Sequence, residues 1–175
     1  MTKPVGRFVG LYKGTVTQNV DPLMRGRLMC TVPDVLGPVP SSWAEPCTPL
    51  AGPTGPPMGI YLVPPIGAGV WVEFEHGDPG KPVWVGCRWG SGSDVPPLAR
   101  AGLPVSPSIV LQTAGQNTIV ISDLPGPTGG IMLKSATGAS IIVNDTGIYI
   151  QNGKGASIVM TAATVNVNAG ALTVI

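Results

Sequence analysis

Between residues 138 and 171 the chain writes one hydrophobic pattern twice. Ile141-Ile142-Val143 and Ile148-Tyr149-Ile150 of the first copy, 138–154, recur as Ile158-Val159-Met160 and Val165-Asn166-Val167 of the second, 155–171. The runs are offset by seven and then ten residues, and Ile131-Met132-Leu133 keeps the same register one period earlier. Inside each run the apolar residues alternate with a period of two, the period of a strand. Ile131, Leu133, Ile141, Val143, Ile148, Ile150, Ile158, Met160, Val165 and Val167 therefore share one face. The other face, with Ile142, Asn144, Tyr149, Gln151, Val159, Thr161, Asn166 and Asn168, is more polar. Strands this short cannot bury a face alone, so each rung is buried by its neighbours. The pattern predicts a β-solenoid or an intertwined β-helix.

Upstream the pattern is again strand and turn, with no 3.6-residue period. Strands are predicted over 11–19, closed by the Asp21-Pro22 turn, over 25–32, over 60–63, over 70–75 and over 81–90. Val70, Val72 and Phe74 fall on one face. Between them lies a proline-rich passage, 37–57, whose missing backbone donors favour extended or turn geometry. It reads as a long ordered loop anchored by Trp43. Five short strands in this span predict a small Greek-key barrel. Residues 91–116, rich in Pro and Ser, read as a linker, with Ile109-Val110-Leu111 as a candidate first rung of the repeat region. Leu124-Pro125-Gly126-Pro127-Thr128-Gly129-Gly130 interrupts the early rungs.

Composition sharpens this picture in one respect. Only 11% of the 175 residues are charged, against roughly 25% in an average soluble protein, while Gly (25) and Pro (20) abound. So little charge implies that much of the surface is covered by other chains. A net charge of +1 points away from nucleic acid and anionic membranes. No apolar run approaches the roughly 18 residues of a membrane span, and Met1 to Gly10 lacks the apolar stretch of a signal peptide, so assembly in a cytoplasm is expected. Cys30, Cys47 and Cys87 have no Cys-x-x-Cys spacing and read as buried thiols.

The order Arg25-Gly26-Arg27-Leu28 with Val32-Pro33, then Trp43, then Pro65-Ile66-Gly67-x-Gly69-Val70-Trp71-Val72-Glu73-Phe74-Glu75, then Gly77-Asp78-Pro79-x-x-Pro82-Val83-Trp84-Val85-Gly86 resembles the N-terminal OB-fold of contractile-tail spike proteins. That family includes the phage baseplate assembly protein V, the VgrG proteins of type VI secretion and the spikes of extracellular injection systems. The resemblance implies an all-β homotrimer: an OB-fold collar over 1–90, the linker 91–116, and a triple-stranded β-helical needle over 117–175 whose core is the ten-residue apolar face named above. It implies a structural role, a needle driven through a target envelope within a phage tail or injection particle assembled in a bacterial cytoplasm, and a separate tail hub protein at the OB-fold end.

Several family members hold iron through a His-x-His motif near the C-terminus. Here no histidine follows His76, so that metal site does not carry over, and neither cofactor nor metal is expected. The run Ala171, Leu172, Thr173, Val174 and Ile175 would instead form a blunt apolar platform, and the resemblance to VgrG-type spikes implies a PAAR-like tip protein to cover it. No catalytic residues are expected. His76 sits at a Gly-Asp-Pro turn with no partner in the pattern to make it an acid or base, and Glu73 and Glu75 alternate outward. An OB-fold also raises single-strand nucleic-acid binding, which needs a basic groove beside stacking aromatics. Trp71, Trp84, Trp89 and Tyr61 could stack, but Arg25, Arg27, Lys81 and Arg88 are interspersed with Glu73, Glu75 and Asp78. A β-solenoid surface adhesin is the other competing class.

Overall fold

The computed structural model describes residues 7–52, 55–102 and 104–174, and the chain divides into two units, Met1–Gly90 and Ser91–Ile175. In the first unit β1 (Tyr12–Gln18), β2 (Met29–Thr31), the one-turn helix α1 (Pro33–Leu36), β3 (Glu45–Pro46), β4 (Ala51–Gly52), β5 (Met58–Gly59), β6 (Gly69–Phe74) and β7 (Pro82–Arg88) follow in order. Five of the strands form one sheet in the order β2-β1-β6-β7-β3, antiparallel except for the β3–β7 pair. The sheet curls as in an OB-fold, and the ends are joined by an antiparallel bridge from Leu28 to Ala44.

Strict alternation aims the core. Val70, Val72 and Phe74 of β6 are buried against Val16, Leu28, Cys30, Val32, Ala44 and Trp84, while Glu73 between them is exposed. The Trp84 indole also donates to the Gly26 carbonyl, 3.1 Å away, which satisfies its one polar atom inside the core. Between β6 and β7 the register slips at Trp71–Val72, whose partners are Gly86 and Trp84, so that Val85 is bulged out of the ladder. Phe8, Tyr12 and Phe74 close one end of the unit as a ring cluster with centroids 5.7 to 6.2 Å apart.

Several sequence expectations need correction. The predicted 25–32 strand shortens to Met29–Thr31 because Asp21 captures the backbone before it. One carboxylate oxygen accepts the Leu23 N–H and the other those of Arg25 and Arg27, while the Arg27 guanidinium donates to the same group at 2.6 Å. These bonds hold the Asp21 carboxyl well below the usual carboxylate range, the arginine contributing most. Arg27 in turn lies 5.4 Å from the centre of the Trp43 ring, a cation–π distance. Trp43 is thus half-buried under an arginine, and the true anchors of the proline-rich loop are Ala44 and Ser41, at 0% and 2% exposure. That loop is also partly regular, since it contains β3 and β4. The predicted 60–63 strand is absent; pairing occurs earlier, with Ala51 opposite Gly59 and Gly52 opposite Met58.

Of the three thiols only Cys30 is buried; Cys47 and Cys87 are exposed. Cys47 directly follows a strand of two residues, and Cys87 lies beyond the bulge, near the end of β7. Burial pushes the Cys30 thiol up to about 11.

In the second unit, 91–102 carries 3-10 turns at Gly92–Asp94 and Pro97–Arg100. Then come β8 (Ile109–Gln112), β9 (Thr118–Ser122), β10 (Gly130–Lys134), β11 (Ser140–Asn144), β12 (Gly147–Gln151), β13 (Ser157–Thr161), β14 (Thr164–Val167) and β15 (Leu172–Val174). They form one 8-stranded sheet in sequence order, each strand antiparallel to the last. The segment read as a linker therefore includes a full strand, β8. Within one chain the repeat is a meander, because turns of a few residues return each strand beside its predecessor.

Candidate assembly interface

The pairing register of the meander lines up two unbroken apolar rows on one face of the sheet. In the first, Ile109 faces Ile121, Ile121 faces Ile131, Ile131 faces Val143, Val143 faces Ile148, Ile148 faces Met160, and Met160 faces Val165. In the second, Leu111, Ile119, Leu133, Ile141, Ile150, Ile158, Val167 and Leu172 pair in the same succession. Directly opposed residues share a face and touch. All ten residues expected to share the apolar face do so.

Sequence reasoning missed Ile119 and Ile121, which extend both rows. Their signal is the alternation of Thr118-Ile119-Val120-Ile121-Ser122, but the insertion at 123–129 breaks the period that would have tied it to the repeat. Ile109 and Leu111, noted as a first rung, occupy that place in the register. Among the residues assigned to a tip partner, Leu172 stands in the second apolar row opposite Val167, and by backbone register Val174 pairs with Val165 and Thr173 with Asn166. Ala171 sits in the preceding turn, and Ile175 lies outside the described residues.

The two faces of this sheet have exchanged their expected burial. On β9, Thr118 and Ser122 are buried at 6% and 9%, whereas Ile119 and Ile121 between them are 43% and 45% exposed. Ile131, Leu133, Ile141, Val143, Ile150 and Ile158 are likewise exposed by 37 to 50%. A single chain thus covers hydroxyls and presents isoleucines to solvent. Full burial of an aliphatic side chain contributes about 1.5–3 kcal/mol, so covering the exposed part of each contributes about 1 kcal/mol. Summed over both rows this is a strong drive to associate, and a contiguous apolar face of this kind marks an interaction surface.

The opposite face carries one central row, Val110, Val120, Met132, Ile142, Tyr149, Val159 and Asn166, flanked by polar residues. Its turns are pinned by side chains. Asn144 Oδ1 accepts the N–H groups of Thr146 and Gly147 and the Thr146 hydroxyl, and Asn152 Oδ1 accepts those of Lys154 and Ala156. Asn144 Nδ2 is buried without a partner.

No strand pairs with the outer edge of β15 among the described residues. His76, Glu73 and Glu75 are exposed, His76 within the 3-10 turn Glu75–Gly77. Arg25 is paired with Glu45 at 2.9 Å and Arg27 with Asp21. Among the described residues no three His, Cys, Asp or Glu side chains are grouped as metal ligands, and no helix is long and apolar enough to cross a membrane.

Comparison with known families assigns both units. Residues 12–89 match the type VI secretion system/phage-baseplate injector OB domain, and residues 108–173 match the phage baseplate V C-terminal trimerisation domain. The second match runs from β8 into β15, the strands that carry the two apolar rows. A comparison with curated proteins finds no match.

Proposed function

The chain belongs to the phage baseplate V family of contractile-tail spike proteins, and we propose that it is the central spike of such a tail, a homotrimer whose C-terminal units form a needle that pierces the target envelope. The observation that carries this reading is the pair of exposed apolar rows lying within the trimerisation-domain match. Three such sheets, each turning its two-row face inward, enclose a dry core of Ile, Val, Leu and Met. With strands about 4.8 Å apart, seven steps between eight strands give a shaft of about 34 Å. Its stiffness comes from two sources: backbone pairing along each chain and apolar packing between chains.

The role is mechanical and non-catalytic, without cofactor or metal. A separate hub protein binds at the OB-fold end, and a PAAR-like tip protein covers Leu172 and the open edge of β15. Leu172 is 59% exposed, an apolar contact that supports a cover there. Pairing of Arg25 and Arg27 with carboxylates leaves little of the basic groove that single-strand binding requires, which supports a protein-facing OB-fold. Assembly takes place in the bacterial cytoplasm, before the particle leaves the cell.

Light scattering of the purified chain tests the proposal. The expected mass is three times 17.9 kDa, and a monodisperse monomer would sink it. Cryo-electron microscopy of the assembled particle tests the hub and tip contacts, since a spike with no density beyond β15 removes the tip partner.

A further inference from the structure

We propose that residues 91–102 and 104–108 and the loop 123–129 act together as a strap that selects which face of the sheet meets other copies of the chain, an inference that rests on the trimer proposed above. The start of the sheet is apolar on both sides, with Ile119, Ile121, Ile131 and Leu133 on one and Val120, Met132 and Ile142 on the other. Left bare, such a sheet associates through either face, and association through both does not close into a ring.

The strap removes that ambiguity. Leu98 and Ala101 from the first segment and Leu124 and Pro127 from the loop line a pocket of about 370 Å³ over Val120, Met132 and Ile142. Beneath it Val120 is 6% exposed. Polar contacts fix the strap in place: both carboxylate oxygens of Asp145 accept the Gly126 N–H, at 3.0 and 3.1 Å, and the Ser106 hydroxyl donates to Asp123 at 2.9 Å. Gly130 lets the loop rejoin the sheet, since at its φ of +84° a β-carbon would collide with the Val143 carbonyl oxygen. The sheet residues lining the pocket stop at Ile142. Beyond it the same row runs through Tyr149 and Val159 to Asn166, an increasingly polar surface that needs less cover.

The test compares the full chain with a Leu98→Ser, Leu124→Ser, Asp145→Ala variant, which loosens the strap and leaves both inward rows intact. The wild-type chain is expected to be a trimer. The variant should retain its β-sheet circular dichroism but scatter light as larger species, and adding Val120→Thr and Ile142→Thr should return it to a trimer. A loosened strap that leaves a monodisperse trimer overturns the inference. So do larger species that persist after the threonine substitutions, or loss of the β-sheet signal, which would make the strap part of the folding core. A wild-type monomer would overturn the trimer and the strap together, whereas a wild-type trimer indifferent to its strap overturns the strap alone.

Discussion

Leu28 and Ala44 exchange both backbone hydrogen bonds, the Leu28 N–H donating to Ala44 at 3.1 Å and the Ala44 N–H to Leu28 at 2.7 Å, and both residues are 0% exposed. This pair joins β2 to the approach of β3 and so closes the curled sheet without a long strand on either side. Leu28→Ala should cost about 2–5 kcal/mol, the range for truncating a fully buried leucine. The measurement is chemical denaturation followed by tryptophan fluorescence, since the buried Trp84 reports on this core; an unchanged midpoint would mean that the site is not closed as described.

Asp21 makes the first unit acid-sensitive. Its carboxyl titrates below the usual range when folded, so the stability it contributes is fully present above its unfolded pKa of about 4 and is lost as pH falls further. Thermal melts from pH 7 to pH 2 should show a fall in midpoint beginning near pH 4, and Asp21→Asn should start lower and fall less. Parallel curves for the two proteins would assign the acid sensitivity elsewhere.

Substitutions on the repeat should separate by face. Val143→Asp and Ile150→Asp place a carboxylate in the apolar rows and should abolish the trimer, as read by mass in solution. Asn144→Asp should be tolerated, because a carboxylate still accepts the three bonds from Thr146 and Gly147 and removes an amide donor that has no partner. Equal assembly by all three variants would show that the two-row face is not the buried one.

The thiols should differ in reactivity. Cys30, buried and with its pKa raised to about 11, should resist alkylation at pH 8 until denaturant is added, since the thiolate is the reactive form. Mass spectrometry of peptides after brief labelling gives the answer, and early modification of Cys30 would contradict its place in the core.

How much of this is legible in the sequence depends on how local the cause is. The face shared by Ile141, Val143, Ile148 and Ile150 follows from a period of two and turns of fixed length, so register is written residue by residue. The β6 core, Val70, Val72 and Phe74, is legible for the same reason. Asp21 is not: its neighbours announce an Asp-Pro turn, but that one carboxylate gathers three N–H groups and a guanidinium depends on how the chain folds back. Cys87 is misread because exposure depends on what packs over it: the bulge at Val85 sets it opposite the buried Val70, yet near the end of β7 it stays exposed, and nothing in Val85-Gly86 announces that. Ile119 and Ile121 alternate plainly enough, yet only pairing with Leu133 and Ile131 attaches them to the rows across the insertion.

The 17-residue block has a further consequence for the length of the sheet. Each copy holds one complete hairpin, β11 with β12 or β13 with β14, so it returns the chain to the same edge, heading and facing as it began. Excising 138–154 would join Thr137 to Gly155-Ala156-Ser157, the very tripeptide, Gly138-Ala139-Ser140, that it replaces. The chain would lose two strand spacings, about 9–10 Å, with every remaining isoleucine still in its row. The block is thus a ruler: the sheet can lengthen or shorten by duplication or loss of whole hairpins, in steps of that size, without redesign of the apolar face.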